Sequence, residues 1–390
     1  MQPKTEVRFD RESFDRIKRT VKNMSVASRQ REMNRTFATT IPEEIGIKLN
    51  NGCNLRCKHC FEWNADGFHH DMDRAEKKRE VDIELVEKIL IETRPVKSKV
   101  FLWGGEPLYY SKFDQVCDLL EQDPRWTTCC TNAIQTEEKM DSILKISENL
   151  AMLLSLEGFE QENDAIRGRG TFRKVMHATH LLLDLQRKGI YKGKVSIHLT
   201  ISDAMVPKLY DFLAFFEEIG VDSVYFTFPW YLPDDVSDRM DTYVHENFQW
   251  LSNRISSHKA SWHSFKYNIS PSMIDPLIEE MNRINARAWK IRPRYQPALE
   301  THEVRDFVLG KEKPAQNRTQ CLAISTRMDV MPSGEVSTCK LFPEFAVGNL
   351  SENSIQDVWH NEGFQDVREK LSCGLMPVCS KCVLLYLNGR

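Results

Sequence analysis

Cys53, Cys57 and Cys60 stand in the run Cys-Asn-Leu-Arg-Cys-Lys-His-Cys-Phe. Three thiolates this close can hold three irons of a four-iron cluster. The fourth iron is then open to a ligand the protein does not supply. An open, redox-active iron beside a small molecule is a reaction centre, whereas a fully ligated cluster normally only carries electrons. Other chemistry competes for the same residues. Zinc sites space ligands as Cys-x₂₋₄-Cys with a distant second pair, so Cys57 and Cys60 could form one half, with Cys53 spare. Disulfides fit poorly, because no secretory signal is read at the N-terminus and eleven cysteines is an odd number.

A second signal follows about one βα unit later. Lys99-Val-Phe-Leu-Trp103 has the pattern of a buried strand and runs into Gly104-Gly105-Glu106-Pro107. Paired glycines at a strand's end let a ligand touch the backbone, and Glu106 beside them can receive an ammonium group. Alone the tetrapeptide is a turn. At this distance from the cysteines it sits where a parallel barrel would bring both onto one rim.

Together, Cys53-x₃-Cys57-x₂-Cys60-Phe61 and Gly104-Gly105-Glu106-Pro107 resemble the cluster motif and the S-adenosylmethionine (SAM) amine motif of the radical SAM superfamily. Thr131-Asn132-Ala133 resembles a Thr-Asn-Gly element. Ser155-Leu156-Glu157-Gly158 resembles a Ser-x-Asp-Gly element, and Arg167-Gly168 and Gly170-Thr171-Phe172 also follow the pattern. Glu157 and Ala133 depart from it, which leaves the contacts of those two residues open. The resemblance spans roughly residues 44–230. It implies a [4Fe-4S] cluster on Cys53, Cys57 and Cys60. It implies SAM contacts from Phe61, Gly104, Gly105, Glu106, Pro107, Thr131, Asn132, Ser155, Glu157 and Arg167. It also implies a flavodoxin- or ferredoxin-type electron donor and hydrogen abstraction by a 5′-deoxyadenosyl radical.

The elements that must position these residues are legible. Strand-like apolar runs fall at 45–49, 99–103, 126–131, 150–155, 194–201 and 223–229. Helical patterns fill 81–93, 111–121, 136–148, 172–188 and 204–219. This alternation predicts parallel βαβ units, hence an α/β fold with a partial (β/α)₆ barrel over 44–233.

The last eighty residues hold Cys321, Cys339, Cys373, Cys379 and Cys382. Met331-Pro-Ser-Gly-Glu335 predicts a hairpin turn, with Cys339 following on the returning strand. Cysteines at such a hairpin plus Cys379-x₂-Cys382 can make one four-thiolate site, for which spacing alone leaves zinc and iron–sulfur equally open. Cys321, Gly334-x₄-Cys339 and Cys379-x₂-Cys382 resemble the auxiliary-cluster region called twitch, the short form of the SPASM domain. That resemblance implies one auxiliary [4Fe-4S] cluster on Cys321, Cys339, Cys379 and Cys382, in a subdomain of β-hairpin plus helix over 311–390. Cys373 is left over. It can be an inert thiol, a replacement ligand, or a hydrogen-atom donor to a substrate radical, as in related epimerases. Cys117, Cys129 and Cys130 lie in helix and strand patterns that predict packing.

Residues 1–43 form a basic helical extension, with Asp10 as N-cap and Phe14, Ile17, Val21 and Met24 on one face expected to pack on the barrel. A docking role for a partner or peptide is the alternative. Residues 234–310 connect the two cluster regions and carry a segment rich in Trp, His, Phe and Tyr, where substrate choice is expected. If Ile291-Arg-Pro-Arg-Tyr295 is a strand, Arg292 and Arg294 share a face. A net charge of −3 excludes a global nucleic-acid footprint, and no apolar run is long enough to span a membrane, so a reducing cytoplasm is expected. Three functions remain open. One is oxidation of a small molecule or sugar, with the auxiliary cluster taking the substrate's electron. Another is maturation of a genetically encoded peptide. The last is a non-catalytic zinc or cluster protein.

Overall fold

The structure, a computed structural model, describes residues 2–255 and 259–389. Six strands alternate with helices as the patterning predicts: β1 (Glu44–Lys48), β2 (Lys99–Trp103), β3 (Thr127–Thr131), β4 (Leu150–Ser155), β5 (Lys194–Thr200) and β6 (Ser223–Thr227). All pair in parallel, each with the next. Their side chains alternate. Ile45, Ile47, Val100, Leu102, Met152, Leu154, Val195, Ile197, Val224 and Phe226 point outward, fully or almost fully buried under the helices. Phe101, Trp103, Cys130, Leu153, Ser155, His198, Thr200 and Thr227 point inward and line a central cavity. The two-residue period therefore builds an apolar outer layer and a mixed interior from the same strands.

Two further strands enlarge the barrel beyond the six expected. β7 (Arg292–Gln296), from the connecting region, pairs in parallel with β6. Its Pro293 and Tyr295 are buried while Arg292, Arg294 and Gln296 alternate with them, and a proline is tolerated because β7 is the sheet's edge. β8 (Arg327–Val330), from the C-terminal region, pairs in parallel with β1 at the other side. β9 (Glu335–Ser337) and β10 (Ala346–Asn349) continue antiparallel from β8, around a turn with Gly334 at φ 82°. The auxiliary region is thus continuous with the barrel sheet. Cys339 lies just past β9 rather than on it.

The N-terminal helix α1 (Arg11–Met33) begins as expected, with Asp10 Oδ1 accepting from Ser13 N at 2.7 Å. It lies against the barrel through polar rather than apolar contacts, with Arg16 over the Trp126 ring (4.0 Å) and Arg19 paired with Glu43 (2.7 Å). Phe14, Ile17 and Val21 are exposed, and the buried residues are Ser13, Ala27, Ser28 and Arg31. Arg31 donates to the carbonyls of Cys321 (2.6 Å) and Arg368 (3.0 Å), so the helix is anchored at its C-terminal end onto the auxiliary region by hydrogen bonds and small residues. Among the described residues no helix is long and apolar enough to cross a membrane.

Candidate active site

The barrel encloses a cavity of about 570 Å³. Cys53, Cys57 and Cys60 border it together with Phe61, Gly104, Gly105, Glu106, Thr131, Asn132, Ser155, Glu157 and Arg167. The residues singled out from the sequence therefore converge at the C-terminal ends of β1 to β4. Pro107 is buried beneath them and does not border the cavity.

The Gly-Gly loop is held against the base of the cysteine loop. Gly105 N donates to Asn50 O (2.8 Å) and Glu106 N to Gly52 O (2.9 Å). A Cβ on Gly104 would stand 2.5 Å from Asn50 Oδ1, and one on Gly105 would stand 2.2 Å from Gly52 O. Both positions exclude a side chain because two backbone segments meet there. Glu106 is almost wholly buried. Its carboxylate accepts from Thr131 Oγ1 (2.5 Å), Asn132 N (2.7 Å) and Leu108 N (3.0 Å). Three of its roughly four acceptor positions are used on the protein's own donors. Glu106 thus fixes the end of β3, with one carboxylate lone pair left for a ligand.

Glu157 sits at the centre of a buried charge network. Its Oε1 accepts from Arg167 Nη2 (2.6 Å) and meets His59 Nε2 (3.0 Å), while Oε2 accepts from Thr200 N (2.6 Å). Burial opposes its charge, but His59 and Arg167 outweigh burial and hold the carboxyl well below the usual range. Arg167 Nη1 also lies 3.8 Å from Cys57 Sγ. The longer side chain in place of Asp therefore locks Arg167 and His59 beside the cysteines. Asn132 Nδ2 reaches Asn54 Oδ1 (2.7 Å) and lies 3.9 Å from Cys53 Sγ. Phe61 stacks on Phe265 (4.7 Å between centroids) and Trp230 (5.7 Å), closing one wall.

The donor set fits a metal cluster. Burial, reinforced by Glu106, pushes the Cys53 thiol up to about 12; burial and Glu62 do the same for Cys60. Burial also raises Cys57, with Arg167 the main opposing charge. Buried thiols with one neighbouring cation ionise only when metal replaces their protons.

Cys321, Cys339, Cys379 and Cys382 border a second, internal cavity and are likewise raised by burial. Sulfurs sharing one tetrahedral zinc stand about 3.8 Å apart. Among the described residues no three cysteine sulfurs lie mutually within 4.8 Å. The set that does converge, Asp238, Asp241 and His263, is mostly exposed, and both Asp241 oxygens already bond Trp262 and His263.

Cys373 is exposed at the end of a helix, 3.8 Å from Arg35 Nη1, and borders neither cavity. A hydrogen donor must touch the substrate, and a ligand must reach the other thiols. This placement brings Cys373 to the border of neither cavity. Cys117 and Cys129 are buried in packing as expected, but Cys130 faces the main cavity.

Sequence reasoning missed His59, His198 and Lys340. His59 lies inside the cysteine motif. His198 sits at an inward β5 position, bonds Thr227 Oγ1 (2.8 Å), and is pulled down to about 4 by burial. Lys340 follows Cys339 directly, and burial lowers it to about 8. The aromatic-rich segment was legible: Phe265 and Tyr267 border the cavity.

Comparisons agree with this geometry. Residues 47–227 match the family described as the radical SAM superfamily, and residues 321–383 match an iron–sulfur cluster-binding domain, SPASM. Pre-heme d1 synthase of Dinoroseobacter shibae is 27% identical over 193 residues, covering 48% of this chain and 44% of that protein. The chain thus spans less than half the length of that relative. The antilisterial bacteriocin subtilosin biosynthesis protein AlbA of Bacillus subtilis is 20% identical over 90% of this chain and 69% of its own. SuiB of Streptococcus suis bound to precursor peptide SuiA superposes with a TM-score of 0.57 at 16% identity, covering 92% of this chain and 72% of that one. The anSMEcpe structure with bound AdoMet gives 0.56 at 17% identity, covering 89% of each. At such identities the structures bear on the fold alone.

Proposed function

We propose that this chain, whose residues 47–227 match the radical SAM superfamily and whose residues 321–383 match a SPASM domain, oxidises a C–H bond of a peptide substrate by two electrons, forming a cross-link or an unsaturated product. When bound, a four-iron cluster with SAM supplies one-electron cleavage of the sulfonium and the 5′-deoxyadenosyl radical that abstracts hydrogen. Cys53, Cys57 and Cys60 would hold that cluster. The remaining lone pair of Glu106 and the Gly104-Gly105 backbone would orient SAM's amine. Asn132, Arg167 and His59 keep the cysteine loop in place through hydrogen bonds and the Glu157 charge. Phe61, Trp230 and Phe265 exclude water from the chamber. Cys321, Cys339, Cys379 and Cys382 would hold the cluster that accepts the substrate's electron.

The observation that carries the reading is one chamber bordered by both the cysteine triad and the segments flanking the auxiliary thiols, Lys340-Leu341 and Val383-Leu384. The peptide is favoured by the likeness to AlbA, a bacteriocin biosynthesis protein, and to SuiB, whose structure holds a precursor peptide. A small-molecule substrate is the second reading, and the likeness to pre-heme d1 synthase over about half of this chain favours it. Anaerobically reconstituted protein, incubated with SAM, dithionite and candidate peptides, should yield 5′-deoxyadenosine together with a peptide product lighter by two hydrogens. Conversion of a small molecule in place of every peptide would favour the second reading.

A further inference from the structure

Lys340 stands apart in the charge inventory of the main cavity. Glu44 and Arg327 pair with each other, Glu62 pairs with Lys48 at 2.7 Å, and Glu157 pairs with Arg167 at 2.6 Å. Lys266 pairs with Asp234 at 2.7 Å, and Glu106 is held by three donors. Among the described residues the Lys340 ammonium has no hydrogen-bond or ion-pair partner. It rests on two ring faces, 4.0 Å from the centroid of Phe101 and 4.9 Å from that of Trp103. The neighbouring anions do not serve it, because Asp329 spends both oxygens on Arg327 (2.7 and 2.8 Å) and Glu44 also bonds Arg327.

A second donor is unspent on one of these two rings. The indole N–H of Trp103 is buried without an acceptor. Three ammonium donors and an indole donor, beside carboxylates engaged by Arg327 and Lys48, make a subsite rich in donors. The position is also particular. Trp103 precedes the Gly104-Gly105 loop and Lys340 follows Cys339, so the subsite joins the SAM end of the chamber to the auxiliary thiols.

We propose that Lys340, with Trp103, binds a carboxylate of the substrate. The chamber then takes an acidic substrate, and the Lys340–carboxylate contact holds it between the two cluster sites. The two aromatic faces beneath the ammonium shield the contact from water and raise its value over that of a surface pair. This rests on the proposed chamber being the substrate site, but not on radical turnover.

The test uses full-length, anaerobically reconstituted protein saturated with SAM. Glutarate is titrated against tryptophan fluorescence, with dimethyl glutarate as the neutral control and inorganic phosphate as the other anion. Glutarate should bind saturably, and its diester should not. Lys340→Met should weaken glutarate at least ten-fold, while Lys340→Arg should stay within about three-fold. Iron content and near-ultraviolet dichroism report whether either variant folds, and Lys340→Arg keeps the test decisive if Lys340→Met does not. Equal glutarate affinity in wild type and Lys340→Met would overturn the proposal. So would absence of saturable glutarate binding, or tighter binding of phosphate than of glutarate. A loss of SAM affinity in Lys340→Met with glutarate binding unchanged would overturn it too, by assigning the lysine to the cosubstrate. Loss of peptide conversion with glutarate binding intact would count against the proposed reaction only.

Discussion

Replacing Glu157 with leucine probes the buried network beside the cysteine triad. The variant removes the only carboxylate bonded, among the described residues, to Arg167, strands the Thr200 amide and frees His59. Glu157 is fully buried and Arg167 nearly so, so solvent cannot compensate. Deleting one partner of a buried ion pair costs about 3–5 kcal/mol. Unfolding entropy of roughly 2.1 cal/mol/K per residue gives about 0.8 kcal/mol/K for 390 residues, so the melting point should fall by about 4–6 °C. Glu157→Gln, which keeps an acceptor, should lose less. Anaerobic calorimetry of the reconstituted proteins at neutral pH measures both. The carboxyl is held below its ordinary value of 4.5, so its contribution is fully present above that pH and fades as pH falls further. The difference between wild type and Glu157→Leu should therefore be constant near neutrality and shrink below about pH 4.5. A leucine variant melting within 1 °C of wild type would refute the assignment of Glu157 as the network's anchor.

Cys382→Ala should retain some SAM cleavage uncoupled from product, read as 5′-deoxyadenosine without modified substrate; full product yield would make the auxiliary site merely structural. His198 is depressed to about 4 in the folded chain, so below its ordinary value near 6.5 the unfolded state binds the proton more readily. Between pH 6.5 and about 4 it should cost stability as the solution is acidified. His198→Gln should lose less denaturant resistance than wild type between pH 7 and pH 5, and an identical loss would contradict this.

How far the sequence reached follows the kind of signal involved. Most of the first six strands were legible because they carry an outward apolar set at period two, Ile45 and Ile47 for example, whereas β3 buries Thr127, Cys129 and Thr131. β7 was harder: Arg292, Pro293 and Arg294 read as a polar edge, and only pairing with β6 makes it a strand. β8 was hidden because its parallel pairing with β1 joins residues nearly three hundred positions apart, as Arg327 with Glu44. The cysteines and the Gly-Gly loop were legible through fixed local spacing. Glu106 was legible as a candidate and Leu108 N is a local donor to it, but its other two donors, Thr131 and Asn132, come from a segment no local pattern connects. Lys340 and His198 were not legible, since a lysine or histidine in an extended run looks alike whether it faces a cavity or solvent. The apolar face of α1 misled because amphipathicity says a face exists, not that this chain covers it; Phe14 and Val21 stay exposed.

The central claim is that Cys53, Cys57 and Cys60 hold a cluster with an open iron that SAM occupies. Electron paramagnetic resonance of the dithionite-reduced protein tests it most directly. Addition of SAM should shift one cluster signal and leave the auxiliary signal unchanged, and the shifted signal should be absent from Cys57→Ala. A spectrum unmoved by SAM, or a SAM-sensitive signal that survives in Cys57→Ala, would contradict the account.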